Sequence, residues 1–545
     1  MNVLSNLRGD IYGGLTTAVV ALPLALAFGV ASGAGALAGL YGAILVGFFS
    51  AVFGGTPAQV SGPTGPMTVV LALIITHFSQ NPLIAFTIVI LGGGFQILFG
   101  LLKFGRYINL VPYPVISGFM SGIGCIIIIL QLAPLFGQET PPGVMVAKLT
   151  ALPTLLLQPE ISAVGLGVIT LMIVYFTPRK ISLILPPTLI ALIAGTVISL
   201  LWIKNAPLIG EIPAGIPAPH MPAFAVDDIP YMIRYALVLA FLGSIDTLLT
   251  SLIADSITRT HHDSDRELIG QGIGNMASGL FGGLPGAGAT MRTVINVRSG
   301  GKTPLSGALH AVVLLLIVLG FGSLVENIPL AVLAGILLKV GTDIIDWRYL
   351  KRIHRAPRAG IIIMLTTLTL TVVVDLITAV AVGMVMSSLL FVKRMADAQM
   401  QTMKLVFDPI HVDDLEPEEA DILERAKGRI VMFHLEGPMS FGSARGIARM
   451  LASSKEQDVL IIDLSDVPFI DSSASIALEE VILDAHADKD YVIVCGLREK
   501  VNEVLTKIGV LNLIPAACNV KTRIDALRKA DILLKNPGTD AVVSE

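Results

Sequence analysis

The chain has 545 residues, of which 54% are hydrophobic and 14% charged, and its mean hydropathy is +0.78. A soluble globular chain carries about 25% charged residues, so a fold that faces water throughout is excluded. The formal net charge of −4 is unevenly distributed, and three cysteines (Cys125, Cys495, Cys518) exclude a disulfide framework.

The first apolar run, from Ile11, continues at spanning length without an A-x-A-like site, which predicts a transmembrane helix and no cleaved leader. About 20 apolar residues cross a hydrocarbon core, which divides residues 10–392 into some fourteen spans. They are Ile11–Ala31, Leu37–Phe53, Thr64–Phe78, Leu83–Leu102, Val115–Leu135, Ile161–Phe176 and Ile184–Trp202, then Tyr231–Ala254, Leu268–Phe281, Thr290–Val297, Leu305–Phe321, Ile328–Val340, Ile361–Val374 and Leu376–Val392. With the N-terminus inside, the inner loops hold Lys103/Arg106, Arg179/Lys180, Arg259/Arg266, Arg298/Lys302, Arg348–Arg358 and Lys393/Arg394, while the outer loops hold mainly Lys148 and Lys204. That cation bias predicts cytoplasmic termini, and the membrane is expected to be the plasma (inner) membrane. The outer loops Gly137–Glu160 and Lys204–Pro230 are Pro-rich; the second (EIPAGIPAPHMPAF) is non-helical by its prolines and connects the halves. Asp227/Asp228 beside it read as solvated, with a cation-attracting mouth as the alternative.

Near Met395 the composition becomes that of a soluble domain. Residues 395–428 read as a linker, 429–535 as an α/β domain and 536–545 as a disordered tail. Strands are predicted at Arg429–Leu435, Val459–Leu464 and Tyr491–Cys495, and helices at Ser443–Ser453, Ser472–Ala487 and Arg498–Ile508.

Two stretches break the apolar pattern, SGPTGPMTVV (Ser61–Val70) and GAGATMRTVI (Gly286–Ile295), one in each half. Irregular backbone is tolerated at membrane depth only where it lines a cavity or is buried in protein. A matched pair of broken helices marks the substrate site of an inverted-repeat transporter, with two positive helix ends facing an anion. Thr64, Gly65, Pro66, Met67 and Thr68 supply the first such terminus; small residues that merely pack helices are the alternative reading of each taken singly.

Asp246 interrupts the run YALVLAFLGSIDTLLTSLIAD, and Thr250 lies one turn along the same face. A carboxylate beside hydroxyl and carbonyl oxygens is a hard cation site suited to Na⁺, or a proton carrier, or a protonated acid bonded to a neighbouring helix. Arg292, in the first turn of the second broken helix, needs a counter-anion, which is the substrate, Asp246 or another protein acid. Asp471-Ser472-Ser473 opens a helix of the soluble domain, where the serines are either caps or candidate regulatory positions, Ser472 and Ser473, for phosphorylation or partner contact. His261-His262-Asp263 reads as a solvated run and not a metal tract. No catalytic constellation is visible, so no enzyme is expected, and no cofactor or nucleic-acid partner.

These features together resemble the SulP family of anion transporters, which join a membrane domain to a C-terminal STAS domain. The matching stretches are SGPTGPMTVV, PVISGFMSGIGCIIIILQLAP, LIGQGIGNMASGLFGGLPGAGATMRTVINVRSGGKTPLSG and VLAGILLKVGTDIIDWRYLKRIH, with GRIVMFHLEGPMSFGSA, LIIDLSDVPFIDSSASIALE and Val501–Gly509 in the STAS part. The resemblance implies a polytopic helical protein of seven plus seven inverted spans (repeats about 10–203 and 230–392 within a domain 1–394), split into core and gate subdomains and working by an elevator-like movement. GAGATM, VGTDIIDW and the Asp246–Thr250 pair are most similar to cyanobacterial sodium-dependent bicarbonate transporters. That similarity implies a Na⁺ site of Asp246, Thr250, Gly288, Ala289 and Thr290. It implies an anion site of Thr64, Gly65, Pro66, Met67, Thr68, Ala289, Thr290 and Arg292. The expected function is sodium-driven import of bicarbonate by a homodimer, with a STAS-binding regulator as a further partner. Sulfate or dicarboxylate permeation, coupled to sodium or protons, and a STAS-coupled anion sensor are the alternatives.

Overall fold

A computed structural model describes residues 6–106, 111–141, 145–157, 159–182, 185–203, 206–210, 218–224, 226–402, 404–406, 415–440 and 457–535. The chain divides into two compact units, Met1–Val385 and Met386–Glu545.

In the first half of the membrane unit the elements are α1 (Leu7–Ala31), α2 (Ala36–Phe53), β1 (Ser61–Pro63), α3 (Gly65–His77), α4 (Leu83–Leu101), α5 (Tyr113–Leu135), α6 (Met145–Leu157), α7 (Ile161–Phe176), α8 (Arg179–Ser182) and α9 (Pro187–Trp202). The second half holds α10 (Ile229–Thr258), α11 (Ser264–Leu280), β2 (Gly286–Gly288), α12 (Thr290–Arg298), α13 (Pro304–Val325), α14 (Leu330–Ile344), α15 (Trp347–Leu350), α16 (Arg358–Val373) and α17 (Leu376–Thr402). Each predicted span falls on a helix, and among the described residues six helices are long and apolar enough to cross a membrane. In both halves the third span is short and preceded by a strand: α3 after β1, α12 after β2. Pro66 at the second helical position of α3 pre-sets φ where no N–H partner is needed. The predicted loop Gly137–Glu160 contains α6, which packs on α5 and α16.

Packing sorts the spans into two groups. The first four of each half form a core, in which α11 lies on α4 and α2, α13 on α1 and α2, and α10 on α4, α12 and β2. The last three of each half form a gate, with α5 on α14 and α16, and α7 on α9 and α14. The α4–α11 contact is close because neither helix carries a side chain there. A Cβ on Gly93 would lie 2.6 Å from the Gly272 carbonyl oxygen, and one on Gly272 would lie 2.5 Å from that of Gly93. The described part of the connector is non-helical as far as Phe224, and a 3-10 turn at Val226–Asp228 leads into α10. Leu208 bridges Pro329 on the gate, and His220 N–H donates to the Leu280 carbonyl of the core at 2.7 Å.

The second unit is a five-stranded sheet in the order β3-β4-β5-β6-β7: β3 (Lys404–Val406), β4 (Ile430–Glu436), β5 (Val459–Asp466), β6 (Tyr491–Cys495) and β7 (Asn519–Val520). The β3–β4 pair is antiparallel and the other three are parallel. Its described helices are α18 (Pro417–Ala426), α19 (Ser472–Ala487), α20 (Glu499–Ile508) and α21 (Arg523–Lys535). Residues 395–428, read as linker, hold the end of α17, β3 and α18. The predicted helix Ser443–Ser453 and the tail 536–545 lie outside the described residues. Asp471, not a serine, caps α19 by accepting from Ala474 N–H at 2.8 Å, leaving Ser472 and Ser473 exposed in the first turn.

Candidate functional site

β1 and β2 cross antiparallel in the middle of the core, with Ser61 opposite Gly288, Gly62 opposite Ala287 and Pro63 opposite Gly286. Each strand is the other's ladder partner, which satisfies backbone that a lipid environment would leave bare. Asn275 on α11 extends the ladder sideways: its Nδ2 donates to the Gly286 carbonyl at 3.0 Å and its Oδ1 accepts from Gly286 N–H at 2.7 Å. On the α2 side, Glu267 accepts from Gly55 N–H, Thr56 N–H and Gln59 Nε2 at 2.9, 2.8 and 2.7 Å, fixing the turn that leads into β1. α10 closes the arrangement, with Gly288 N–H donating to Thr247 Oγ1 at 3.0 Å.

The two strands aim the starts of α3 and α12 at α10. In the first turn of α3, Gly65 and Met67 carry N–H groups without an intrahelical partner, and Pro66 carries none. Thr68 does not offer its hydroxyl proton outward; it donates to the Thr64 carbonyl at 2.8 Å. Ala289 is engaged at both ends, its N–H on the Val60 carbonyl and its carbonyl on Thr293 N–H, each at 2.9 Å, so the open N–H groups of α12 belong to Thr290, Met291 and Arg292. Thr250 Oγ1 donates to the Gly288 carbonyl at 2.9 Å and lies 2.8 Å from Thr290 Oγ1, which brings together three of the oxygens expected around a cation.

Three polar groups at this crossing are buried without a hydrogen-bond partner: Asp246 Oδ2, Thr64 Oγ1 and Arg292 Nη1. The Thr64 hydroxyl is close enough to act on the Asp246 carboxylate, yet the two do not meet in hydrogen-bond geometry. Arg292 is 2% exposed, and its Nη2 donates to the Pro63 carbonyl. Its guanidinium packs against Gly62, where a Cβ would lie 2.6 Å from Nη1 and 3.3 Å from the Ala43 Cα of α2. Arg292 and Asp246 act on each other through space, with no ion-pair contact between them among the described residues. Arg292 is therefore first a tie from α12 to β1, set beside the strand face that looks toward α2.

Sequence reasoning missed Glu267, Gln59 and Asn275, which hold the two breaks in place. It also missed the ties of His262. That ring lies 2.7 Å from Asp255 Oδ2 and 2.8 Å from Ser264 Oγ and is largely buried, so of the expected solvated run His261 and Asp263 are exposed and His262 is not. Among the described residues no group of three or more His, Cys, Asp or Glu side chains is placed to hold a metal ion.

The profile of the sulfate permease family matches residues 7–367 and that of the STAS domain residues 422–525. The chain belongs to the sulfate permease family. Membership makes it a multi-pass anion transporter and not an enzyme. It is 49% identical over 538 residues to the bicarbonate transporter BicA of Picosynechococcus sp., covering 96% of this chain and 95% of that one. The solved transmembrane domain of a cyanobacterium bicarbonate transporter BicA superposes with a TM-score of 0.66 at 54% identity, covering 69% of this chain and 98% of that one. The murine Slc26a9 anion transporter in its inward-facing state covers 98% of this chain and 92% of its own, with a TM-score of 0.83 at 19% identity, a likeness of fold alone.

Proposed function

We propose that the protein imports bicarbonate in symport with Na⁺, by an elevator-like movement of the core against the gate. The observation that carries this reading is the orphaned carboxylate oxygen of Asp246 beside two half-helix N-termini. A carboxylate oxygen buried without a donor calls for a cation, and the Thr250, Gly288 and Thr290 oxygens one turn away complete a hard-oxygen set for Na⁺. Thr64 Oγ1 and the N–H groups of Gly65, Met67 and Thr290 then face the anion. Each helix end contributes about half a positive charge, and Asp246 with Na⁺ is close to neutral. Arg292 keeps its full charge, since the Pro63 carbonyl it bonds is neutral, but its guanidinium is held against Gly62 and Pro63 of β1 and not at the two helix ends. The field of those ends suits one negative charge, which favours bicarbonate over the dianion sulfate. In the same reading both termini and the STAS domain are cytoplasmic, the membrane is the plasma membrane, the assembly is a homodimer, and Ser472 or Ser473 meets a regulator.

The test is uptake of labelled bicarbonate into vesicles with and without an imposed Na⁺ gradient, with excess sulfate as competitor. Accumulation that follows the gradient and resists sulfate is expected. Uptake indifferent to Na⁺, or abolished by sulfate, would move the assignment to a sulfate-type permease.

A further inference from the structure

At the end of α10 that begins the second half, a cavity of about 520 Å³ opens between core and gate. Its polar lining is Thr76 and His77 at the end of α3, Tyr231, Arg234 and Tyr235 on α10, and Asp375 just before α17. Arg234 lies 25 residues before Arg259, roughly 38 Å along the helix. The cavity is thus on the opposite face from the cation-rich loops, the outer face in the reading above.

Five of these six side chains carry a hydrogen-bond donor, that of Thr76 already given to the Ala72 carbonyl at 2.7 Å, and only Asp375 is purely an acceptor. That acceptor is already engaged by the first turn of α17, where Thr378 N–H donates to Oδ1 at 2.9 Å and Thr378 Oγ1 to Oδ2 at 2.6 Å. Arg234 approaches Asp375 Oδ1 at 3.8 Å, beyond hydrogen-bond range, and its side chain is half-exposed. The guanidinium therefore presents a full charge and a planar fork of donors to the cavity while holding its counter-ion loosely. His77 is braced against the rings of Tyr231 and Tyr235, with centroids 5.4 and 6.0 Å apart. The C-terminal end of α3 opposes an anion here with about half a negative charge, which the whole charge of Arg234 exceeds.

We propose that this cavity is a second anion site, a recruiting site for a small planar oxyanion such as bicarbonate. The anion takes the place of Asp375 on the Arg234 guanidinium before passing along α3 to the central crossing, about 20 Å away by the rise of that 13-residue helix. Asp375 belongs to the gate and Arg234 to the core, so arrival of the anion also loosens a contact between the two groups. The proposal rests on the transport reading given under Proposed function.

The test follows initial rates of labelled bicarbonate uptake against bicarbonate concentration, at low and at physiological ionic strength. It compares the full chain with Arg234→Gln, Arg234→Lys and Asp375→Asn, each checked for membrane level and monodispersity. Arg234→Gln is expected to raise KM about tenfold, the low end of what charge-lined clefts add to local concentration, to leave the saturating rate within about twofold, and to flatten the salt dependence. Arg234→Lys should recover most of the loss, and Asp375→Asn should leave KM equal or lower. An unchanged KM in Arg234→Gln overturns the proposal, as does a fall in saturating rate shared equally by Arg234→Gln and Asp375→Asn, which would mark the pair as a structural tie. Failure of the transport reading looks different, because the unaltered protein then shows no uptake. In that event protection of Arg234 from phenylglyoxal by bicarbonate, mapped on the purified protein, decides the site alone, and absence of protection overturns it.

Discussion

Two buried acids in this molecule are treated in opposite ways. Asp463, fully buried on β5, accepts from His434 Nδ1 at 2.9 Å, from Arg523 Nε at 2.8 Å, and from Ser465 N–H and Oγ at 3.1 and 2.6 Å. Burial pushes its carboxyl upward, but the hydrogen bonds from His434 and Ser465 and the Arg523 charge outweigh it and hold the group well below the usual carboxylate range. Burial, then Asp463 itself, pushes the neighbouring Cys495 thiol up and leaves it inert. The folded value of Asp463 lies below the unfolded one, so its stabilisation is present above about pH 3.9 and is lost as pH falls toward the folded value. Arg523→Ala leaves a buried charge short of its cation and is expected to cost about 3–5 kcal/mol at pH 7. The deficit should hold from pH 7 to about pH 4 and shrink only below it, as the carboxyl takes up a proton; hydrogen exchange at the β5 amides of the full chain at pH 7 and at about pH 3 reads both values. An equal deficit at the two pH values would sink the account. Asp246 carries an insertion cost of about 2.5–3.5 kcal/mol with one oxygen left bare, which fits a visiting ion and not a fixed partner. Asp246→Asn is therefore expected to abolish Na⁺-driven uptake with normal membrane levels, while Thr250→Ala raises the Na⁺ half-saturation severalfold and Thr250→Ser restores it. Both measurements are uptake against Na⁺ concentration, and an unchanged Na⁺ dependence in Asp246→Asn refutes the role. Asp246 was legible because it interrupts an apolar run. Glu267 was not, because the stretch DSDRELIGQG reads like any polar helix start.

Helices α3 and α12 are short because their missing turns are strands, and the strands hold only if their edges are occupied. Asn275 serves one such edge, so Asn275→Ala exposes the Gly286 N–H and carbonyl at about 1–3 kcal/mol each. The expected result is a lower unfolding temperature in detergent together with loss of uptake. Asn275→Asp keeps the acceptor for Gly286 N–H and should retain more of both. Gly and Pro spelled out the two breaks in the sequence, and each span the pattern predicted falls on a helix. The pairing of Ser61 with Gly288 was not legible, since no local signal links positions so far apart; only the correspondence between halves hinted at it. α6 was hidden by the Pro-rich character of its loop, and β3 is three residues long, too short for an alternation pattern to register. In the soluble unit the long strands and α19 were read closely, because continuous apolar runs flanked by turn residues carry their own boundaries.

The whole membrane unit rests on exchange between halves: the connector touches both core and gate, and neither β1 nor β2 has a ladder without the other. Residues 1–221 expressed alone are therefore expected not to accumulate, and co-expression with residues 222–545 should restore both accumulation and uptake; immunoblotting of membranes and labelled uptake measure the two. A first half that is stable by itself would contradict the argument. The crossing of β1 and β2 also bears on how the protein is made. Ser61 emerges from the ribosome 227 residues before Gly288, which at about 5–20 residues per second is an interval of roughly 11–45 s. Throughout that time the backbone of the first break sits at membrane depth with its partner unwritten. Biogenesis must keep that segment near the insertion machinery, or wet, until the second half arrives, so translation speed across the connector becomes a determinant of yield.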